Sequence, residues 1–514
     1  MPNYVDRYRL LPLAALAAVF FGFFFNLHTV PLFDLDEGAF SEATREMLER
    51  RDFVSTFLNG APRYDKPILI YWLQAASVSA FGINELAFRL PSALAATAWV
   101  AAVFAFTRRL RDARSAWYAA IMTATCLQIA LIGRAAIADA LLNLWLVVTM
   151  FAVYLYYAER RARWLFAAFA GMALGVLTKG PVAVLIPLAV SLLYFVLRGE
   201  WRAWLRAAFN PAGIALFLLI ALPWYVAQYL KEGQAFIDGF FFTHNIGRFE
   251  GPMEGHGGSL LYYVPVVLVG LLPYTTVALT TLARLRTLLR DPLNQYLLLW
   301  AGFVVVFFSL SGTKLPHYVI YGYTGLIVVM AGLLDEARSR LANLLPALLF
   351  LGLLLVLPEI LAKAAAATGD AHTRNVLTDA GAQFPAGYRV LLAVAAGAVI
   401  AGMIDRRLRV SLKLLLAGIA CVAAFNGLLL PAAGAIQQSP IKEAAAIARE
   451  RGYEVVMWRL NMPSFNVYSR SLVAKHRPGP GEVVLTKTIY VGELPGVEVI
   501  YEKNGIVMGR VKGG

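Results

Sequence analysis

Apolar stretches long enough to cross a bilayer recur along this 514-residue chain, and a water-soluble fold has nowhere to put so many of them. A helix needs about 20 apolar residues to span the hydrocarbon. Shorter spans are possible in a bundle, and thirteen stretches are candidates, at approximately 10–30, 87–107, 116–133, 137–157, 164–178, 181–197, 211–229, 261–281, 294–311, 317–334, 343–360, 388–404 and 411–430. The fifth and sixth are separated only by Lys179-Gly180-Pro181. Composition agrees: 59% of residues are hydrophobic and 15% charged, against about 45–50% and about 25% in soluble domains. The expectation is a polytopic α-helical membrane protein with about thirteen spans. Disorder and a disulfide scaffold are excluded, since the two cysteines, Cys126 and Cys421, both lie inside apolar stretches. Leu10–Phe25 has no convincing cleavage site and reads as a retained first helix.

The net charge of +14 does not indicate nucleic acid, because the arginines cluster between spans. Arg108, Arg109, Arg111 and Arg114 form one run; Arg160, Arg161 and Arg163, Arg284, Arg286 and Arg290, and Arg406, Arg407 and Arg409 form others. Such runs mark cytoplasmic loops. With Arg7 and Arg9 they place the N-terminus in the cytoplasm, and an odd number of spans sends residues 431–514 to the outer face. The expected organisation is a membrane domain over 1–430, with outer loops at 31–86 and 231–260, and an outer domain over 431–514. In that domain residues 441–452 read as a helix ending at Gly452. Glu454–Trp458, Val483–Thr486, Val497–Tyr501 and Ile506–Val511 read as strands, giving a small α/β domain.

The inner loops hold little but arginine, so any chemistry belongs to the outer face. Asp34, Asp36 and Glu37 stand just before an amphipathic helical pattern with Phe40, Thr44, Met47 and Leu48 on one face, expected to lie at the membrane surface. A helix cap needs one acid. Three acids at a membrane boundary suggest a general base or a group steadying charge at a sugar carbon. Arg63-Tyr64-Asp65-Lys66-Pro67 precedes Tyr71-Trp72, and Lys66 reads equally as a snorkelling lysine or a phosphate ligand. Arg134 and Asp139 bracket a tight outer turn. Lys179 and Lys314 occupy other outer turns, where lysine is disfavoured unless an anion is bound. His244, Arg248, Phe249 and His256 lie in a glycine-rich loop able to close over a substrate. No tight spacing such as HExxH is present, so no cofactor is called for. Asp65 and His244 are the candidates should a divalent metal bind.

In order along the chain come Asp36-Glu37, Asp65-Lys66-Pro67 with Tyr71-Trp72, Phe88-Arg89-Leu90-Pro91-Ser92, Thr178-Lys179-Gly180-Pro181, His244 with Arg248-Phe249, His256 with Tyr262-Tyr263, and Lys314-Leu315-Pro316 with Tyr318. This ordered set resembles the ArnT-like glycosyltransferases, the aminoarabinose transferase branch of the protein-mannosyltransferase-related GT-C superfamily. The resemblance covers spans one to ten best. It implies a bacterial inner-membrane enzyme that moves a sugar, with inversion, from a polyprenyl (undecaprenyl) phosphate to a periplasmic acceptor such as lipid A in lipopolysaccharide, another surface glycan or a protein. It implies that Asp36, with Glu37 and Asp139, is catalytic. Lys66, Arg248, Lys179, Tyr318 and Lys314 would contact the donor phosphate, and Asp65, Arg89, His244 and His256 would shape the substrate loops. Where the family often carries an arginine shortly after Asp-Glu, this chain reads Gly38-Ala39-Phe40, and the acid before Lys-Pro is Asp65 where Glu is common. Two rival readings are a secondary transporter or flippase of an anionic or lipid-linked substrate, and a non-catalytic envelope-assembly subunit.

Overall fold

The computed structural model describes residues 10–247, 249, 251 and 257–512. Arg7 and Arg9 lie outside them. Each of the thirteen apolar stretches is helical. Among the described residues seven helices are long and apolar enough to span a bilayer by themselves: Glu85–Leu110, Asp139–Glu159, Pro211–Glu232, Pro292–Leu310, Pro316–Glu336, Arg340–Ala367 and Val410–Gln437. Shorter ones are Leu11–Phe24, Val182–Leu197 and Tyr388–Ile404, with Ala162–Lys179 between. The remaining two are broken, as Ala113–Thr125 with Leu127–Ile132 and as Tyr263–Gly270 with Thr275–Ala283. The bundle is apolar on its outside as well as its inside. Leu230 is 79% exposed and Leu219 74%, while Trp99, Trp300 and Tyr296 are fully buried. Only a lipid solvent makes that outer surface stable.

The arginine runs meet at one end of this bundle. Arg109 pairs with Glu159 at 2.6 Å, Arg114 with Asp335 at 2.9 Å, Arg160 with Glu200, and Arg284 with Glu336. The last span runs on to Gln437, past the boundary expected at 430, because the apolar pattern continues through a wider π-type turn at Phe425–Leu429.

Beyond it, helix Ser439–Arg451 stops where Gly452 takes φ +64°, and Pro463–Ser469 adds a short second helix. Five strands form a mixed sheet: β3 (Val455–Met457), β4 (Ala474–Lys475), β5 (Val483–Lys487), β6 (Val497–Lys503) and β7 (Ile506–Val511), in the order β4-β3-β5-β7-β6. A hairpin in the first outer loop supplies β1 (Phe57–Leu58) and β2 (Ala61–Pro62). β3 is parallel to β4 and β5, and β7 runs antiparallel to β5 and β6. The four strands expected from the sequence are present; β4 was too short to carry a pattern.

The amphipathic helix after the first span is Asp36–Arg50, but it does not lie open on a membrane surface. Glu37–Met47 are buried all round, because helix Pro463–Ser469 of the C-terminal domain covers the polar face. Burial of that face forces its charges into pairs: Arg45, 1% exposed, bonds both oxygens of Glu42 at 2.7 Å. Gly38 permits the approach, since a Cβ there would stand 2.0 Å from Asp34 Oδ1 and 2.7 Å from the Ser464 nitrogen.

Candidate active site

The helix that carries Asp36 is fixed through its neighbours on either side. Arg89, in helix Glu85–Leu110, spends all five donors on this corner: Nε and Nη2 to Glu37 at 2.8 and 2.6 Å, Nη1 to the carbonyls of Leu27 and Val30 at 3.1 and 2.5 Å, and Nη2 to that of Pro31 at 2.9 Å. Glu37 also accepts the backbone N–H groups of Phe33 and Ala136 at 2.9 and 2.7 Å. Four donors fill the carboxylate. Burial works to raise the Glu37 pKa, but the Arg89 guanidinium and these bonds outweigh it and hold the group ionised below the usual range. Glu37, expected to be catalytic, and Arg89, expected to shape a substrate loop, spend these bonds on holding the chain in place.

On the other side, Asp34 accepts the backbone N–H of Ser464 at 2.9 Å and its hydroxyl. Burial nevertheless pushes Asp34 up to about 7. Tyr468 from the same C-terminal helix accepts the Leu32 N–H at 2.7 Å and donates to Glu85 at 2.9 Å. Asp36 sits between these anchors. It is exposed, makes no cap hydrogen bond, and pairs with no described residue. The cap role has no geometry behind it, and the carboxylate is free to meet a substrate. It lines a cavity of about 210 Å³ with Arg134, Arg89 and His317.

A second, larger cavity of about 510 Å³ lies alongside. Its wall is mostly apolar, with Val182, Leu185, Phe241, Ile246 and Phe307, and its polar groups converge from four segments. Asp65 and Lys66 come from the first outer loop, Lys179 from the end of Ala162–Lys179, His244 from the later loop, and Tyr318 and Tyr321 from the start of the tenth span. Lys179 faces the cavity because the chain stops its helix there: Gly180 takes φ +83°, and a Cβ at that position would stand 2.7 Å from the Phe240 ring. Its Nζ donates to Asp139 Oδ1 at 2.6 Å and to Tyr321 at 2.8 Å, and Tyr321 donates to the same Asp139 oxygen at 2.6 Å. His317 Nε2 is 3.6 Å from that oxygen. His317 also feels the charges of Asp36 and Lys66. The cluster of Asp139 and His317 thus stands between the two cavities, since His317 lines the smaller and Lys179 and Tyr321 line the larger.

Lys66 donates to Asp65 Oδ1 at 2.6 Å, Arg63 bonds Asp65 Oδ2 at 3.1 Å, and His244 Nδ1 is 3.4 Å from Asp65 Oδ1. Asp65 and His244 are two donors together, but among the described residues no group of three His, Cys, Asp or Glu is placed to hold a metal ion. Lys314 stays off the cavity wall: it is 6% exposed and its Nζ donates to the Ser311 carbonyl at 2.6 Å. Arg248 and His256 lie outside the described residues. The structure adds His317 and Tyr321, which sequence reasoning missed. Their signal was available: both adjoin Tyr318, and Tyr321 follows it by one helical turn.

Residues 65–226 match the family described as dolichyl-phosphate-mannose-protein mannosyltransferase. An uncharacterized protein of Aquifex aeolicus is 31% identical over 332 residues, which is 64% of this chain and 74% of that one. The undecaprenyl phosphate-alpha-4-amino-4-deoxy-L-arabinose arabinosyl transferase of Pseudomonas aeruginosa is 32% identical over 339 residues. That match takes in 64% of this chain and 60% of the transferase's length. The crystal structure of ArnT from Cupriavidus metallidurans bound to undecaprenyl phosphate superposes with a TM-score of 0.82 at 19% identity, covering 99% of this chain and 98% of that one.

Proposed function

Because this chain belongs to the ArnT-like branch of the GT-C glycosyltransferases, we propose that it transfers a sugar from a polyprenyl phosphate to an acceptor on the outer face of a bacterial inner membrane. The single observation that carries the reading is the larger cavity. An apolar-walled space of about 510 Å³ with Lys66, Lys179 and Tyr318 at its polar end suits a lipid phosphate, whose tail stays among apolar side chains. The arginine-rich turns, gathered at one end of the bundle, support a cytoplasmic N-terminus and a periplasmic site and C-terminus.

The chemistry follows from the charges. The acceptor oxygen attacks the anomeric carbon from the side opposite the phosphate, the bond from that carbon to the phosphate oxygen breaks, and the configuration inverts. The phosphate leaves as a monoester with more negative charge than the diester had. Lys66 and Lys179 gain most at that moment, which is where a cation lowers the barrier. Asp36 takes the proton of an acceptor hydroxyl, or orients the sugar where the acceptor oxygen is already ionised. Asp139 and Tyr321 hold Lys179 in place, with His317 beside the Asp139 carboxylate.

The test is direct. Full-length protein in nanodiscs is given radiolabelled undecaprenyl-phosphate sugars and envelope lipid or glycan acceptors. Label should move to the acceptor as free undecaprenyl phosphate appears. Donor binding with no transfer, together with movement of donor across sealed vesicles, would replace the transferase with a flippase.

A further inference from the structure

Among the described residues the terminal nitrogens of Arg134 have no hydrogen-bond partner, in a place where a charge needs one. Arg134 sits in the turn between the third and fourth spans and is 4% exposed. An unpaired buried charge costs several kcal/mol. Burial, with Arg89 close by, pushes Arg134 down to about 10 despite the partial offset from Glu37, so it remains charged at neutral pH. The nearby acids are not available to it. Glu37 is filled by Arg89 and two backbone N–H groups, and the charges of Arg89 and Glu37 cancel. Asp34 is held by Ser464. Asp36 is on the same cavity but pairs with no described residue. The corner therefore keeps one buried guanidinium whose terminal nitrogens have no hydrogen-bond partner among the described residues, facing a cavity of about 210 Å³ with Asp36 and His317 on its wall.

We propose that Arg134 is the oxyanion subsite of the acceptor: its guanidinium receives a phosphate carried by the acceptor and thereby sets the attacking group beside Asp36. The proposal rests on the transferase reading above. A guanidinium fork suits a phosphate bidentately. The acceptor is favoured over the donor because the smaller cavity shares no lining residue with the larger one, and Lys66 and Lys179 are already on the larger. Arg134 is thus a specificity-determining residue. It selects phosphorylated acceptors and leaves the binding of the lipid carrier unaffected.

Full-length protein in nanodiscs, as wild type, Arg134→Gln and Arg134→Lys, is titrated with three probes: lipid A bearing its phosphates, phosphatase-treated lipid A, and undecaprenyl phosphate. Arg134→Gln should weaken binding of phosphorylated lipid A about ten-fold or more and change undecaprenyl phosphate by less than about two-fold. Arg134→Lys should recover part of the loss. Wild type should bind the dephosphorylated lipid as weakly as Arg134→Gln binds the phosphorylated one. In turnover the loss should appear in the acceptor KM, with the donor KM unchanged. Weaker undecaprenyl phosphate binding would assign the anion to the carrier, and unchanged binding of all probes, or equal loss for all with lower thermal stability, would make Arg134 structural. Each of these overturns the proposal. Arg134-dependent lipid A binding without any sugar transfer would instead overturn the transferase reading and leave the oxyanion site standing.

Discussion

Replacing Lys66 with methionine keeps the length and apolar stem of the side chain and removes its charge. Lys66 is 12% exposed at the side chain, bonded to Asp65 Oδ1 at 2.6 Å and to the Asp65 carbonyl at 3.2 Å. A charge-assisted bond to a phosphate contributes about 1.5–3 kcal/mol. Lys66 must share that bond with Asp65, and an exchangeable partner of this kind offsets about 1 kcal/mol of the gain. The net loss in donor binding is then about 0.5–2 kcal/mol, which is about two- to thirty-fold in apparent affinity. The leaving monoester carries more charge than the bound diester, so the transition state loses more than the ground state, and kcat should fall as well as KM rise. Initial rates of full-length Lys66→Met at varied donor and varied acceptor separate the two. Donor kcat/KM should fall by more than the affinity does, with the acceptor KM nearly constant. If donor kinetics stay intact and only the acceptor KM rises, Lys66 does not meet the carrier phosphate.

Asp36→Asn should lower transfer by about 10²–10⁴-fold and leave thermal stability unchanged, because Asp36 bonds to no described residue; near-normal turnover would remove it from the chemistry. Arg89→Met should do the opposite kind of damage, leaving Glu37 buried and unpaired at a cost of about 3–5 kcal/mol, read as lost monodisperse protein with no selective effect on either substrate. Asp34 gives a pH signature: its folded pKa is about 7 against an ordinary 3.8, so the folded state binds more protons between these values. Stability should therefore fall as pH rises from about 4 to about 7, by at most about 1.4 kcal/mol per unit, and level off above; Asp34→Asn should flatten that slope in thermal unfolding, and equal slopes in both proteins would refute it.

The membrane bundle was legible because its signal is local. Each span needs only its own apolar residues, so thirteen stretches could be read one at a time, including the Lys179-Gly180-Pro181 break that separates two of them. The strands of the C-terminal domain were legible for the same reason, down to Ile506–Val511. What could not be read was the division of labour between adjacent acids. Asp36 and Glu37 are indistinguishable in sequence, and their roles separate only because Arg89, 52 positions away, fills one of them. Lys314 and Lys179 both sit in outer turns, yet the turn at Ser311 folds Lys314 back on its own carbonyl while Gly180 leaves Lys179 facing the cavity.

The first outer helix reads in sequence as an open surface helix because its covering partner is distant in the chain. Its polar face meets helix Pro463–Ser469 of the C-terminal domain, whose Ser464 and Tyr468 also hold Asp34 and the Leu32 backbone just ahead of it, and those contacts join residues more than 400 positions apart. An isolated carboxylate on a loop would lose orientation to chain motion. Here the residues on both sides of Asp36 are pinned, Glu37 into the bundle by Arg89 and Asp34 outward by Ser464, and only Asp36 between them is left unbonded. A catalytic group is best held this way, rigid through its neighbours and free at its own oxygens. On this geometry the C-terminal domain acts at a distance from the substrate. It fixes the backbone from which Asp36 projects, so loss of its contacts misplaces the carboxylate together with Asp34 on the wall of the smaller cavity.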